Sequence, residues 1–188
     1  MTRVPRSMLD GLTRQVNAVS ADARSKVSRA LAAVEWSDVS RAREAVSQAM
    51  RDACGSYADV AAQAAAEFYD AVRELCAGEA LGALALPGYD PDATDGAVRA
   101  LAQLVVDGKG PPAFGRACLE RVDYEVKRAA GNSVASNAAR DPLRPRYARV
   151  PTGAETCEFC TMLASRGFVY ATGRSAGALE HYHPGCDC

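Results

Sequence analysis

Between Met8 and Val34, apolar side chains recur at Leu9, Leu12, Val16, Val19, Ala23, Val27, Leu31 and Val34. Steps of three and four place them on one face of a helix, so the spacing predicts an amphipathic helix that packs on its neighbours. Ser7 and Asp10 supply its start signal. A second helix begins near Ser37 or Asp38 and carries Val39, Ala42, Val46, Ala49 and Ala53. Gly55 weakens the pattern, but Tyr57, Val60, Ala64, Phe68, Val72 and Leu75 continue it to a stop at Gly78. Two prolines and a glycine in Leu86-Pro-Gly-Tyr-Asp-Pro-Asp92 mark a loop. A helix over 92–107 presents Val98, Leu101, Leu104 and Val105. A last long helix bears Phe114, Cys118, Val122, Val126, Ala130 and Val134 and runs to about Ala139.

The character of the chain changes at Asp141-Pro142. Arg140, Arg144, Arg146 and Arg149 follow one another closely, and 146–150 and 168–172 read as short β runs. The expected architecture is mainly α: a helical region over 1–140, then a small zinc-stapled α+β module over 141–188. Trp36 is expected to staple a helix start, Tyr57, Phe68 and Tyr69 to be core aromatics, and Cys54, Cys76 and Cys118 to be buried thiols.

Composition narrows the function. The 188 residues carry a formal net charge of −1 and 48% hydrophobic residues. Such a balance argues against a basic coat for nucleic acid and against an acidic disordered tail. No apolar run reaches the length of a membrane span, and MTRVPRSMLDG lacks the apolar stretch of a secretion signal, so synthesis in the cytoplasm is expected.

The chemistry is concentrated at one end. Four of the seven cysteines, Cys157, Cys160, Cys186 and Cys188, lie in the last stretch with both histidines, His181 and His183. Cys157-Glu-Phe-Cys160 is one C-x-x-C pair, and 22 residues separate Cys160 from His183 in His181-Tyr-His-Pro-Gly-Cys186-Asp-Cys188. Tetrahedral zinc needs four converging nitrogen and sulfur donors, and gaps of two residues let each pair meet one ion from a tight turn. The candidate ligands are Cys157, Cys160, His183 and Cys186, with Cys188 as the alternative fourth donor and His181 in reserve. Four protein donors close the shell, which reads as a structural ion and not a catalytic one.

Three other readings compete. A redox C-x-x-C belongs in a βαβ context that this chain does not show. A small zinc-dependent hydrolase or toxin would keep one zinc position open for water. A zinc-containing nucleic-acid-binding protein would use the arginines near 140–149, yet six arginines against five acidic residues over 140–188 give only +1.

Several strings together resemble a known family. They are Asn137-Ala-Ala-Arg-Asp-Pro142, Arg146-Tyr-Ala-Arg-Val-Pro-Thr-Gly153, Cys157-Glu-Phe-Cys-Thr-Met-Leu-Ala-Ser-Arg-Gly-Phe-Val-Tyr170 and the segment from His181 to Cys188. Tyr57-Ala-Asp-Val60 and Phe68-Tyr-Asp-Ala-Val-Arg73 add to them. The pattern is similar to the MuF-like minor capsid, or head morphogenesis, proteins of tailed phages and prophages of actinobacteria. The resemblance implies a non-enzymatic virion protein of few copies, inside the capsid and assembled in the host cytoplasm. It also implies the portal and other capsid proteins as partners; the long alanine-rich helices offer surfaces for them or for copies of the chain itself, and the residues themselves point to weak contact with DNA at most and to no membrane. The family's C-x-x-C and H-x-x-C-x-C elements map onto Cys157, Cys160, His183, Cys186 and Cys188, and relatives continue beyond that point.

Overall fold

The computed structural model describes residues 4–151, 156, 158–172 and 175–176. Six helices account for most of them: α1 (Arg6–Ala33), α2 (Val39–Ala77), α3 (Pro91–Leu101), α4 (Gln103–Val106), α5 (Gly110–Arg140) and α6 (Glu158–Ser165). None is long and apolar enough to cross a membrane, among the described residues.

Local chemistry sets the helix ends. Asp38 caps α2 by accepting the Arg41 N–H at 3.0 Å, which satisfies a donor that has no partner inside the helix. The helix then continues for 39 residues. Gly55 does not break it, and a Cβ built there would meet the Tyr89 ring at 3.6 Å. At Gly78 the backbone turns left-handed with φ +83°, a conformation that glycine adopts at low cost, and α2 stops. Asp90 caps α3 through the N–H groups of Asp92 and Ala93, with Pro91 in the first turn. The first turn of α5 contains Pro111 and Pro112, whose missing N–H groups would have no helical acceptor there in any case.

The chain divides into two compact units. One comprises Val16–Ala61 and Pro87–Ala129. Its core is lean, as an alanine-rich sequence requires: Val16, Ala23 and Val27 of α1, Val46, Met50, Ala53 and Cys54 of α2, Val98 of α3, and Phe114, Cys118, Val122 and Val126 of α5. Trp36 packs edge-on to Phe114 with ring centroids 5.6 Å apart. Polar groups also enter this core. The Ser20 hydroxyl donates to Asp123 at 2.6 Å. Glu125, only 1% exposed, lies between Arg121 and Arg128. Arg51 of α2 is paired with Asp95 of α3.

The other unit comprises 1–15, Ala62–Leu86 and 130–188. Its described core contains Ala62, Ala65 and Tyr69 of α2, Ala130 and Ala138 of α5, and Cys160 and Leu163 of α6.

The expected α+β module over 141–188 is not what the described residues form. The runs 146–150 and 168–172 meet only at a single antiparallel bridge, Tyr147 with Tyr170. Two backbone hydrogen bonds make it, Tyr147 N–H to Tyr170 O at 2.9 Å and the reverse at 3.2 Å. The ladder does not propagate because its neighbours are engaged elsewhere. Arg149 is buried and donates to the Ala176 carbonyl at 2.9 Å. Pro145 and Pro151, on either side of the first run, have no N–H to extend pairing. The region adds a helix, α6, and no strand among the described residues. No group of three or more His, Cys, Asp or Glu that could hold a metal occurs among them either. The expected α+β description is therefore replaced by a helical one among the described residues.

Candidate functional site

Of the expected zinc donors, Cys160 is the one described. Cys157, His183, Cys186, Cys188 and the reserve donor His181 lie outside the described residues. Cys160 is the third residue of α6 and is fully buried, one turn before the buried Leu163. Cysteine sulfur is a donor of the kind zinc takes, and Cys160 is the expected donor that the described residues contain.

The best-defined polar arrangement lies elsewhere in the same unit, around Asp141. Tyr69 and Arg73 share one face of α2, four residues apart, and both reach the residue that follows α5. The Tyr69 hydroxyl and the Arg73 Nε–H each donate to Asp141 Oδ2 at 3.0 Å. Asp141 Oδ1 accepts the Leu143 N–H at 2.9 Å, forming a tight turn at Pro142. Burial opposes a charge on Asp141. The Leu143 N–H, the Tyr69 hydroxyl and the Arg73 guanidinium outweigh that cost and hold its pKa below the ordinary 3.8. Tyr69 is pushed the other way, by burial first and then by the Asp141 carboxylate it serves.

The same helices hold an extended segment, 79–86, almost wholly through side chains. Arg73 Nη1 donates to the Glu79 carbonyl at 2.8 Å. The two oxygens of Asp70 accept the Leu81 and Ala83 N–H groups, each at 2.9 Å, around Gly82, whose φ of +73° lets both amides face one carboxylate. Asn137 accepts from the Leu84 N–H at 2.9 Å and donates to the Leu84 carbonyl at 2.8 Å. Ser133 Oγ accepts the Leu86 N–H at 2.9 Å. Asn137 and Ser133 are fully buried in α5.

Sequence reasoning missed this cluster as a cluster. Tyr69 was expected in the core and is there, 8% exposed. The signal that would have found part of the rest is a set of polar residues, Asp70, Arg73, Ser133 and Asn137, on otherwise apolar helical faces; Asp141 lies beyond α5 and gives no such signal. The thiol expectations divide. Burial raises Cys54 to about 12, with Glu125 adding to the rise and Arg121 opposing it, and burial alone raises Cys118 to about 12. Cys76, by contrast, is exposed.

Comparison with known families decides the class of protein. The family model described as VG15 protein matches residues 3–188. The chain belongs to the VG15 protein family. That is a family of phage proteins, and its model spans nearly the whole chain, both compact units included. No curated protein and no solved structure matches the chain.

Proposed function

We propose that this phage protein is a MuF-like minor capsid protein that acts in head morphogenesis, associated with the portal on the capsid interior. The observation that carries the reading is the Asp141 cluster. Two of the strings that make the resemblance, Phe68–Arg73 and Asn137–Pro142, supply Tyr69, Asp70, Arg73, Asn137 and Asp141. The resemblance therefore includes residues whose side chains hold this unit together. Membership of a phage family agrees with it.

The reading is non-enzymatic. Asp70, Asn137 and Asp141 are engaged in holding backbone and the Arg73 and Tyr69 side chains, which supports a role through shape and surfaces. In the proposal, Cys157, Cys160, His183 and Cys186 or Cys188 bind one zinc ion. Its test is metal analysis of protein purified without chelator: one zinc per chain, lost in Cys157→Ser/Cys160→Ser, supports it, and metal-free wild-type protein refutes it.

Deleting the gene from the phage or prophage that carries it tests the function. The proposal expects fewer or less infectious filled heads, with normal replication of the genome. Normal yield of infectious heads would refute it.

A further inference from the structure

Residues 79–86 follow α2 in extended form, and none of them is buried. Among the described residues they make no backbone-to-backbone hydrogen bond. Side chains alone hold their main chain. Asp70 of α2 accepts from the N–H groups of Leu81 and Ala83, and Arg73 of α2 donates to the Glu79 carbonyl. From α5, Asn137 and Ser133 accept from the N–H groups of Leu84 and Leu86. The segment is thus bonded to one helix through residues 79, 81 and 83 and to the other through residues 84 and 86.

What is recognised is a main chain, not a set of side chains. Asn137 brackets one residue, accepting the Leu84 N–H at 2.9 Å and donating to the Leu84 carbonyl at 2.8 Å. A neighbouring β-strand would make the same pair of bonds, and such pairing admits any residue except proline. Leu84 itself is 49% exposed, and Ala80, Gly82 and Ala85 are exposed too. The receiving side chains differ: Asn137 and Ser133 are fully buried beneath the segment. Gly78 and Gly82, at φ +83° and +73°, are bends that glycine makes and unmakes at low cost. Lifting the segment uncovers the polar groups of Asp70, Ser133 and Asn137, which water or another main chain can satisfy.

We propose that Asp70, Arg73, Ser133 and Asn137 form a binding site for an extended polypeptide segment of a partner protein. Residues 79–86 fill it within the chain, and the partner's segment takes it by displacing them. The ligand is an extended run of small and aliphatic residues, free of proline at the positions that Leu81, Ala83, Leu84 and Leu86 hold in the chain. Main-chain hydrogen bonds supply its affinity, as they do where a peptide adds to the edge of a sheet.

The test adds a labelled synthetic peptide, Gly78-Glu-Ala-Leu-Gly-Ala-Leu-Ala-Leu-Pro87, to the full chain. In Leu81→Pro/Leu84→Pro the chain's own segment loses one N–H to Asp70 and one to Asn137, which frees the site. By anisotropy, the peptide should bind this variant about tenfold or more tighter than wild type. Adding Asp70→Ala/Asn137→Ala to the variant should abolish the gain, and a peptide with proline at the same two positions should not bind. A second measurement needs no substitution. Millimolar peptide should speed hydrogen exchange at Leu81, Ala83, Leu84 and Leu86 of the wild-type chain, with α2 and α5 still protected. The proposal is overturned if the proline variant, with the helix content of wild type, binds the peptide no better than wild type does. It is equally overturned if binding survives the loss of Asp70 and Asn137, or if the peptide leaves wild-type exchange at those amides unchanged.

Discussion

Arg73 and Asp141 lie 68 residues apart in the chain and meet at 3.0 Å, Nε to Oδ2, with both side chains under a tenth exposed. The pair ties the second half of α2 to the residue that ends α5. It also fixes the direction in which the chain leaves the long helices, toward the turn at Pro142 and α6. Removing one partner strands the other in a place that water barely reaches, which costs more than the pair itself contributes.

Asp141→Asn should therefore destabilise the protein by about 2–3 kcal/mol at neutral pH, measured by urea unfolding. The pH dependence has a definite sign. Asp141 is held below 3.8 in the folded state, so its contribution is complete above the ordinary carboxylate range. It is lost as pH falls through the folded value. As pH falls below the ordinary value of 3.8, the wild-type protein should lose stability more steeply than Asp141→Asn. Parallel curves would show that the carboxylate is not ionised in this pair.

The extended segment 79–86 should depend on the polar side chains that hold it. Asp70→Asn replaces one of the two carboxylate oxygens that accept the Leu81 and Ala83 amides. Asn137→Ala removes both bonds to Leu84. Hydrogen exchange at Leu81, Ala83 and Leu84 should speed up in the respective variants, with helix content by circular dichroism unchanged. Protection equal to wild type would mean that these bonds do not hold the segment.

Gly55 offers a stabilising change. It lies inside α2, and an added Cβ would meet Tyr89 at 3.6 Å, an ordinary contact distance. Gly55→Ala should raise stability by about 0.5–1 kcal/mol through reduced freedom of the unfolded chain. A fall in the thermal midpoint would show that Tyr89 needs the closer approach.

Thiol reactivity should separate the helical cysteines. Cys76 is exposed, whereas Cys54 and Cys118 are buried with thiols raised to about 12. Since the thiolate is the reactive form, a maleimide at neutral pH should label Cys76 quickly and Cys54 and Cys118 only after unfolding. Peptide mapping reads this directly, and early labelling of Cys54 or Cys118 would contradict the packing described.

Helix content was legible in the sequence wherever large apolar residues marked a face. Val16, Ala23 and Val27 of the expected α1 stripe and the series Phe114, Cys118, Val122 and Val126 in α5 become core, while Leu9, Leu12, Val19, Leu31 and Val34 are only half-buried. In α2 the pattern misled, because alanine carries little contrast. Val60 and Leu75, placed on the expected stripe, are about half exposed, while Ala58, Ala61, Ala62 and Ala65 are buried. Small side chains allow close helix packing, and the few large ones were the weaker guide. The same ambiguity placed Cys76 inside. The β runs failed for a different reason: alternation around Tyr147 and Tyr170 is genuine, but the flanking prolines and Arg149 limit it to one bridge. The Asp141 cluster was invisible to periodicity, since it depends on a carboxylate beyond α5 meeting α2. Among the expected zinc ligands, Cys160 alone falls on described residues, at a buried helix start.

Quantitative mass spectrometry of purified particles, with and without protease treatment of intact heads, tests the capsid assignment most directly. The account predicts the chain in both procapsids and finished virions, in few copies beside the portal protein, and protected from protease until the heads are opened. Its absence from washed particles, with abundant protein left in the lysate, would contradict it.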